Sequence, residues 1–336
     1  MLMQVRELIS SSDFEKRHCL LKSRGLSIPT CNRAWGAFDG NTLLGTVGAL
    51  DETLVGFAVA KEFEGQGLSL ALTERAVTDL FNLGFKEIRA FTKPAEARRF
   101  EEVGFHLIAC TSKAVFMEWN ESFSQHLKRL ENMSLETPAD SGAVVLNANP
   151  FTLGHRALVE AALIECPFVW VFVVSEDISE FLFEDRLKMV QNALSDLPNV
   201  RVLPSGPYMV SLATFPSYFT KDTERVRIHA ELDLALFIRQ AKALKISSRY
   251  VGEEPFSSVT AEYNCVMKEL LPKSGITCRE IKRLSLSNNG SLISASVVRD
   301  LLRTGRFTEA LYYLPTVNSS LISAAFSRSR LFKEQS

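Results

Sequence analysis

A chain of 336 residues exceeds the length at which one hydrophobic core usually keeps growing, so two domains are the default expectation. With 46% hydrophobic and 23% charged residues, the apolar surface is ample to offset chain entropy, which excludes disorder as the main state. Lys plus Arg is 38 against 39 Asp plus Glu, and a formal net charge of -1 gives no global electrostatic case for nucleic acid or an anionic membrane as partner.

Residues 1–9 carry Arg6 and Glu7 and no long apolar run, so they do not read as a signal peptide. Residues 43–50 and 54–60 are rich in small, aliphatic and β-branched side chains and predict two strands joined at Asp51-Glu52. The stretch Glu62-Phe63-Glu64-Gly65-Gln66-Gly67 leads into a helical pattern with Leu68, Leu72, Ala76, Val77, Leu80 and Phe81 on one face. A short strand is expected at 88–91 and a short helix at 95–103, stopped by Gly104. The polar segment 131–142, broken by Pro138 and Gly142, is linker chemistry. Domains are therefore expected at 1–131 and 143–336, with 132–142 between them.

The second domain opens with an apolar strand at 143–148, a loop at 149–152 and a helix at 153–165. The most apolar stretch, 166–174, is too short to span a bilayer, and within it the all-apolar residues 168–174 suit a strand covered on both faces. A helix at 186–197, strands at 199–203 and 248–251, and a helix at 231–244 follow, with helical ends at 296–303 and 307–312. Strands alternating with helices predict an α/β fold with a doubly wound parallel sheet. The six cysteines are scattered without a Cys-x-x-Cys pair, which argues against a structural zinc site and for reduced thiols. A cytoplasmic protein without nucleic-acid or membrane partners is the expectation.

Three stretches carry candidate chemistry. Asn149-Pro150-Phe151-Thr152-Leu153-Gly154-His155 lies between the predicted first strand and first helix of the second domain, where parallel sheets bind ligands. Helix-start amides there can hold phosphate oxygens, Gly154 permits close approach, and His155 can face charge that grows at phosphorus. Near the end, Ile293-Ser294-Ala295-Ser296-Val297-Val298-Arg299 offers a capped helix start, a second anion-ready end, with Arg299 available for a bidentate grip on phosphates. Between them, Gly252, Glu253 and Glu254 follow a strand, and Lys221 follows an aromatic loop from which a lid could bring it to a triphosphate. Each stretch alone also reads as an ordinary turn, cap or surface loop; two anion-ready helix ends in one domain favour a triphosphate. The spacing is not that of a Walker loop. These nucleotide features alone fit an adenylyltransferase acting on a phosphopantetheine-like compound equally well.

Thr152-x-Gly-His155 with Ile293-Ser294-x-Ser296-x-x-Arg299 resembles the nucleotidyltransferase superfamily related to class I aminoacyl-tRNA synthetases. The fuller blocks, 149–155, 214–219, 231–234, 251–257 and 293–296, resemble the citrate lyase ligase family. The superfamily commonly has His where this chain has Thr152, whereas that family uses Thr. The resemblance implies ATP-dependent activation of acetate as acetyl adenylate. Acetylation of the thiol on the phosphoribosyl-dephospho-coenzyme A arm of the citrate lyase acyl carrier subunit follows, with AMP released. It implies magnesium bound through phosphates, Thr152 and His155 at the α-phosphate, and Ser294, Ser296 and Arg299 at the outer phosphates. Lys221 is a further candidate there, and Asn149, Phe151, Gly154, Gly252, Glu253, Glu254 and Ile293 lie around the nucleotide. In the first domain, Glu62-x-x-Gly65-x-Gly67 and Phe100-Glu101-Glu102-Val103-Gly104-Phe105 resemble a Gcn5-related N-acetyltransferase fold. Glu62 stands where that motif usually has Arg or Gln, and its charge would repel a pyrophosphate if it faced inward. The domain is therefore expected to bind the coenzyme-like arm or to support the protein partner, and a citrate lyase binding partner without catalysis is the further alternative.

Overall fold

A computed structural model describes residues 3–176, 179–209, 215, 222–254, 257–285 and 292–330. The chain forms two compact units, one of Met1–Leu127 with Ser211–Leu236, the other of Lys128–Val210 with Phe237–Ser336.

In the first unit the described residues form a seven-stranded sheet. In chain order its elements are β1 (Met3–Glu7), α1 (Ser11–Ser23), β2 (Arg33–Asp39), β3 (Thr42–Leu50), β4 (Thr53–Val59), α2 (Leu68–Asn82), β5 (Ile88–Thr92), α3 (Ala97–Glu101), β6 (Phe105–Cys110) and β7 (Val115–Trp119). The sheet order is β1-β2-β3-β4-β5-β7-β6, antiparallel except between β4 and β5. Alternate residues of the same strands feed two separate cores, as the strand period requires. Trp35, Ala37 and Val47 pack under the apolar stripe of α2, whereas Ala34, Phe38 and Leu43 join Leu20 and Leu21 of α1. β4 and β5 are in register only at Thr53↔Arg89 and Leu54↔Ala90. Past that point their pairing stops, and a cavity of about 370 Å³ lies among Val55 to Val59, Phe91 to Lys93, Ser69 and Thr73.

Helix α4 (Ser122–Ser134) runs to within seven residues of the next strand, so the polar segment of the sequence is part helix and part connection. The second unit is built from β8 (Ser141–Leu146), α5 (Leu153–Glu165), β9 (Val169–Val173), α6 (Phe183–Ala193), β10 (Val200–Pro204), the part of α7 (Asp222–Ala243) from Phe237 on, β11 (Ile246–Gly252), α8 (Ser258–Leu270), β12 (Thr277–Ile281), α9 (Ala295–Arg303), α10 (Phe307–Ala310) and α11 (Ser319–Arg328); the part of α7 up to Leu236 belongs to the first unit. All strand pairs are parallel, in the order β10-β9-β8-β11-β12. The sheet is therefore doubly wound, as the alternation of strands and helices predicts. β9 is buried at every residue because helices cover both faces. Val169, Val171 and Val173 join the core formed by α5, α6, α9 and α11. The strand order reverses between β8 and β11, the place where such sheets leave a crevice at their carboxyl edge. Among the described residues no helix is long and apolar enough to cross a membrane.

Candidate functional site

A cavity of about 620 Å³ opens at that crevice, within the size range of sites that enclose a small organic ligand. Its walls come from the ends of β8 and β11, from the first turns of α5, α8 and α9, and from residues 281–284 after β12.

The first wall is a helix cap with a second purpose. Thr152 precedes α5 in extended conformation, and the His155 amide donates to Thr152 Oγ1 at 3.4 Å. In return the Thr152 amide donates to His155 Nδ1 at 3.0 Å, closing a reciprocal capping box. An Nδ1 that accepts an amide proton is unprotonated, so the neutral imidazole carries its hydrogen on Nε2. Burial and the charge of Arg283 push the His155 pKa down to about 4. His155 is therefore a neutral Nε2–H donor at neutral pH and not an imidazolium. Phe151, fully buried, stacks against the His155 ring with centroids 5.5 Å apart and holds its plane.

The second wall is the start of α9. Ser294 caps it, accepting from the Ser296 amide at 3.3 Å, and the two hydroxyls lie 2.6 Å apart. The helix starts of α5 and α9 meet at Gly154, where an added Cβ would stand 3.4 Å from both the Ile293 carbonyl oxygen and its side chain. Two sequence motifs about 140 positions apart thus form one anion-ready rim.

Arg299 lies one turn into α9. Its Nη1 donates to the Asn149 carbonyl at 2.7 Å and its Nε stands 3.1 Å from Glu180 Oε1. Glu180 also takes a hydrogen bond from Asn149 Nδ2 and faces Arg303. Burial would raise this carboxyl, yet its own amide, Asn149 and the two guanidiniums hold it below the ordinary range. Without a ligand, Arg299 is paired to Glu180. Phosphates reaching it exchange one anionic partner for another.

The carboxylate pair separates. Glu254 lines the cavity, accepts from the Ser257 amide at 3.1 Å and pairs with Arg283 at 2.6 Å. Glu253 is exposed and is not part of the cavity wall; its contribution is a backbone carbonyl that accepts from Arg283 Nε at 2.7 Å. Around Gly252 an added Cβ would meet nothing within 4 Å, so that edge of the cavity is open. Asn149, Thr152, Gly154, His155, Gly252 and Glu254 therefore share one cavity with Ile293, Ser294, Ser296 and Arg299. Lys221, and most of the aromatic loop before it, lie outside the described residues.

Three arginines matter here that local sequence patterns do not reveal. Arg283 follows β12 and Arg249 sits within β11; both line the cavity. Arg186, fully buried on α6, ties together the loops beneath the site. It donates to the carbonyls of Asn147 (2.8 Å), Val174 (2.8 Å), Glu176 (2.6 Å) and Phe181 (3.1 Å). A buried Arg on a helical face resembles any solvated helix residue in sequence, and only the strand-end carbonyls it meets reveal its task. Among the described residues no group of three or more His, Cys, Asp or Glu could hold a metal ion. Chemically, the cavity combines two helix starts, a neutral imidazole donor and fixed guanidiniums, a set suited to an extended polyanion.

Comparison with known proteins gives this arrangement a context. Residues 141–322 match the family described as citrate lyase ligase C-terminal domain, and residues 3–105 match the acetyltransferase (GNAT) family. A citrate (pro-3S)-lyase ligase of Klebsiella pneumoniae is 38% identical over 84% of this chain and 84% of its own length. The protein of the same name from Escherichia coli strain K12 is 33% identical over 81% and 79%. Among solved structures, an acyl-CoA N-acyltransferase from Pseudomonas aeruginosa covers 35% of this chain and 99% of its own, at 14% identity and a TM-score of 0.31.

Proposed function

The chain belongs to the citrate lyase ligase family, and from that premise we propose an ATP-dependent, AMP-forming reaction in which acetate is activated at the carboxyl edge of the parallel sheet. The acetyl group then passes to the thiol of the prosthetic arm on the citrate lyase acyl carrier subunit. The observation that carries this reading is the meeting of the α5 and α9 helix starts around one cavity, within a segment that matches the family over 141–322.

In the first step one carboxylate oxygen attacks the α-phosphorus. An O–P bond forms, and the bond to the β-phosphate oxygen breaks with its electron pair leaving on pyrophosphate. His155, neutral with Nε2–H, donates to an α-phosphate oxygen as negative charge grows there. The α9 amides and Arg299 take the outer phosphates, Arg299 leaving Glu180 as it does so. Glu254 keeps Arg283 oriented toward the cavity through their 2.6 Å contact. In the second step a thiolate sulfur attacks the acyl carbon; the S–C bond forms and AMP leaves with the electrons of the broken C–O bond. Magnesium bound to the triphosphate supplies charge neutralisation; the described residues contain no carboxylate cluster that would hold it directly.

Incubation with ATP, magnesium, acetate and deacetylated citrate lyase tests the proposal. Acetate-dependent pyrophosphate release and restored lyase activity are expected. A stable dinucleotide-like product formed from a phosphopantetheine compound instead would identify an adenylyltransferase.

A further inference from the structure

We propose that Arg249 is the receptor for the carboxylate of the short-chain acid that this site activates. The inference rests on the ligase reading above and adds the residue that selects and places the acid.

Arg249 is 4% exposed and lies on β11, three residues before the strand's last, Gly252. At about 3.3 Å per residue this sets its backbone on the order of 10 Å below the strand end. Its side chain nevertheless lines the cavity that contains Thr152, His155 and Ser294. The guanidinium lies over two aromatic rings, with its central carbon 4.3 Å from the Phe237 centroid and 5.9 Å from that of Tyr263. Nε and Nη1 are buried and, among the described residues, have no hydrogen-bond acceptor. The Cys278 thiol, its register partner on β12, is raised by burial and stays neutral, so it supplies no counter-charge.

A buried guanidinium with idle donors is costly unless an anion joins it. The other two guanidiniums of the cavity are paired, Arg299 with Glu180 and Arg283 with Glu254, and Lys282, the remaining side-chain cation of the lining, is exposed to solvent. Arg249 has ring contacts and, among the described residues, no carboxylate partner. Its planar fork matches a carboxylate in a way that a point charge does not. The triphosphate finds its donors at the rim, on the starts of α5 and α9, where a chain of phosphates has room. A small planar anion can go deeper, with its alkyl end against Val251, Tyr263 and Met267, which line the same cavity. Held so, the acid shares the space with the phosphate that His155 faces, and the entropy of bringing the two reactants together is removed on binding.

Two measurements on the full chain test this. In acetate-dependent ATP–pyrophosphate exchange, Arg249→Met is expected to raise the KM for acetate roughly 10- to 100-fold, as loss of charge-assisted hydrogen bonds implies, with the KM for ATP changed less than about twofold. Arg249→Lys keeps the charge, loses the fork and is expected to fall between. Saturation-transfer NMR of acetate on the protein reads binding without turnover, and its signal is expected to vanish in Arg249→Met and persist in Arg249→Lys. Equal rises in both KM values would assign Arg249 to the nucleotide or to the fold and overturn the proposal. An acetate signal that survives in Arg249→Met would do the same. If the unaltered protein shows the Arg249-dependent acetate signal but no exchange, the ligase reading fails while the carboxylate receptor stands. Should Arg249→Met not fold, Arg249→Lys and Tyr263→Ala carry the comparison, and an unchanged acetate KM in both overturns the proposal.

Discussion

A threonine that caps a helix here also determines which nitrogen of a histidine bears its proton. Thr152 was legible as part of a motif, and the sequence placed it between strand and helix; that its amide occupies His155 Nδ1 required the folded cap. Gly154 was legible too, but its neighbour across the cavity, Ile293, was not, because nothing local links positions 154 and 293. That contact gives a discriminating prediction. An alanine at 154 would stand at ordinary van der Waals distance from Ile293, and Gly→Ala in a helix adds up to about 1 kcal/mol of stability. Gly154→Ala is therefore expected to keep or raise Tm while raising the KM for ATP roughly tenfold, about one hydrogen bond's worth, since the new methyl narrows the cavity that Gly154 lines. A lowered Tm with unchanged KM would mean that the glycine serves packing alone. Arg249 and Arg283 were beyond reach of the sequence for a plain reason: their meaning comes from the register of β11 and β12 against the rest of the sheet.

At the scale of elements, the periodic segments were readable and the irregular ones were not. α5 spans the residues its apolar pattern predicts, whereas α7 begins nine residues before the predicted start at 231, in a polar stretch whose helicity periodicity does not announce. β12 was missed because it is an edge strand without a clear alternation of buried and exposed residues. β1, β2, β6 and β7 were missed in the first unit, where charged and aromatic residues interrupt the β-branched runs that mark β3 and β4. The junctions after β8 and β9 depend on one side chain from a third element. Arg186 of α6 satisfies carbonyls on both, and removing it leaves several buried acceptors without donors. Arg186→Met is expected to cost at least about 3 kcal/mol in denaturant unfolding. A loss below about 1 kcal/mol would show that water replaces the guanidinium without penalty.

For the whole molecule, near-neutral net charge concealed a local concentration of guanidiniums around one cavity, and that concentration shapes the response to acid. His155 is held from its ordinary 6.5 down to about 4, so the unfolded chain takes up a proton across that window while the native state does not. Stability is therefore complete above about 6.5 and falls as the pH drops toward 4. Glu180, whose folded pKa is lowered, contributes with the same sign at still lower pH. Thermal unfolding between pH 8 and 4 checks this: His155→Gln is expected to flatten the fall between 6.5 and 4, and an unaltered slope would refute the shift. The strand order of the second unit has a further consequence, for biosynthesis. β8 lies mid-sheet, yet one of its two neighbours, β11, begins only at Ile246. As the chain leaves the ribosome, β8, β9 and β10 can assemble early, but one apolar edge of β8 stays open until more than a hundred later residues have been made. Such long-range closure slows folding and leaves an unpaired strand edge exposed on the way, so refolding yield is expected to fall as protein concentration rises.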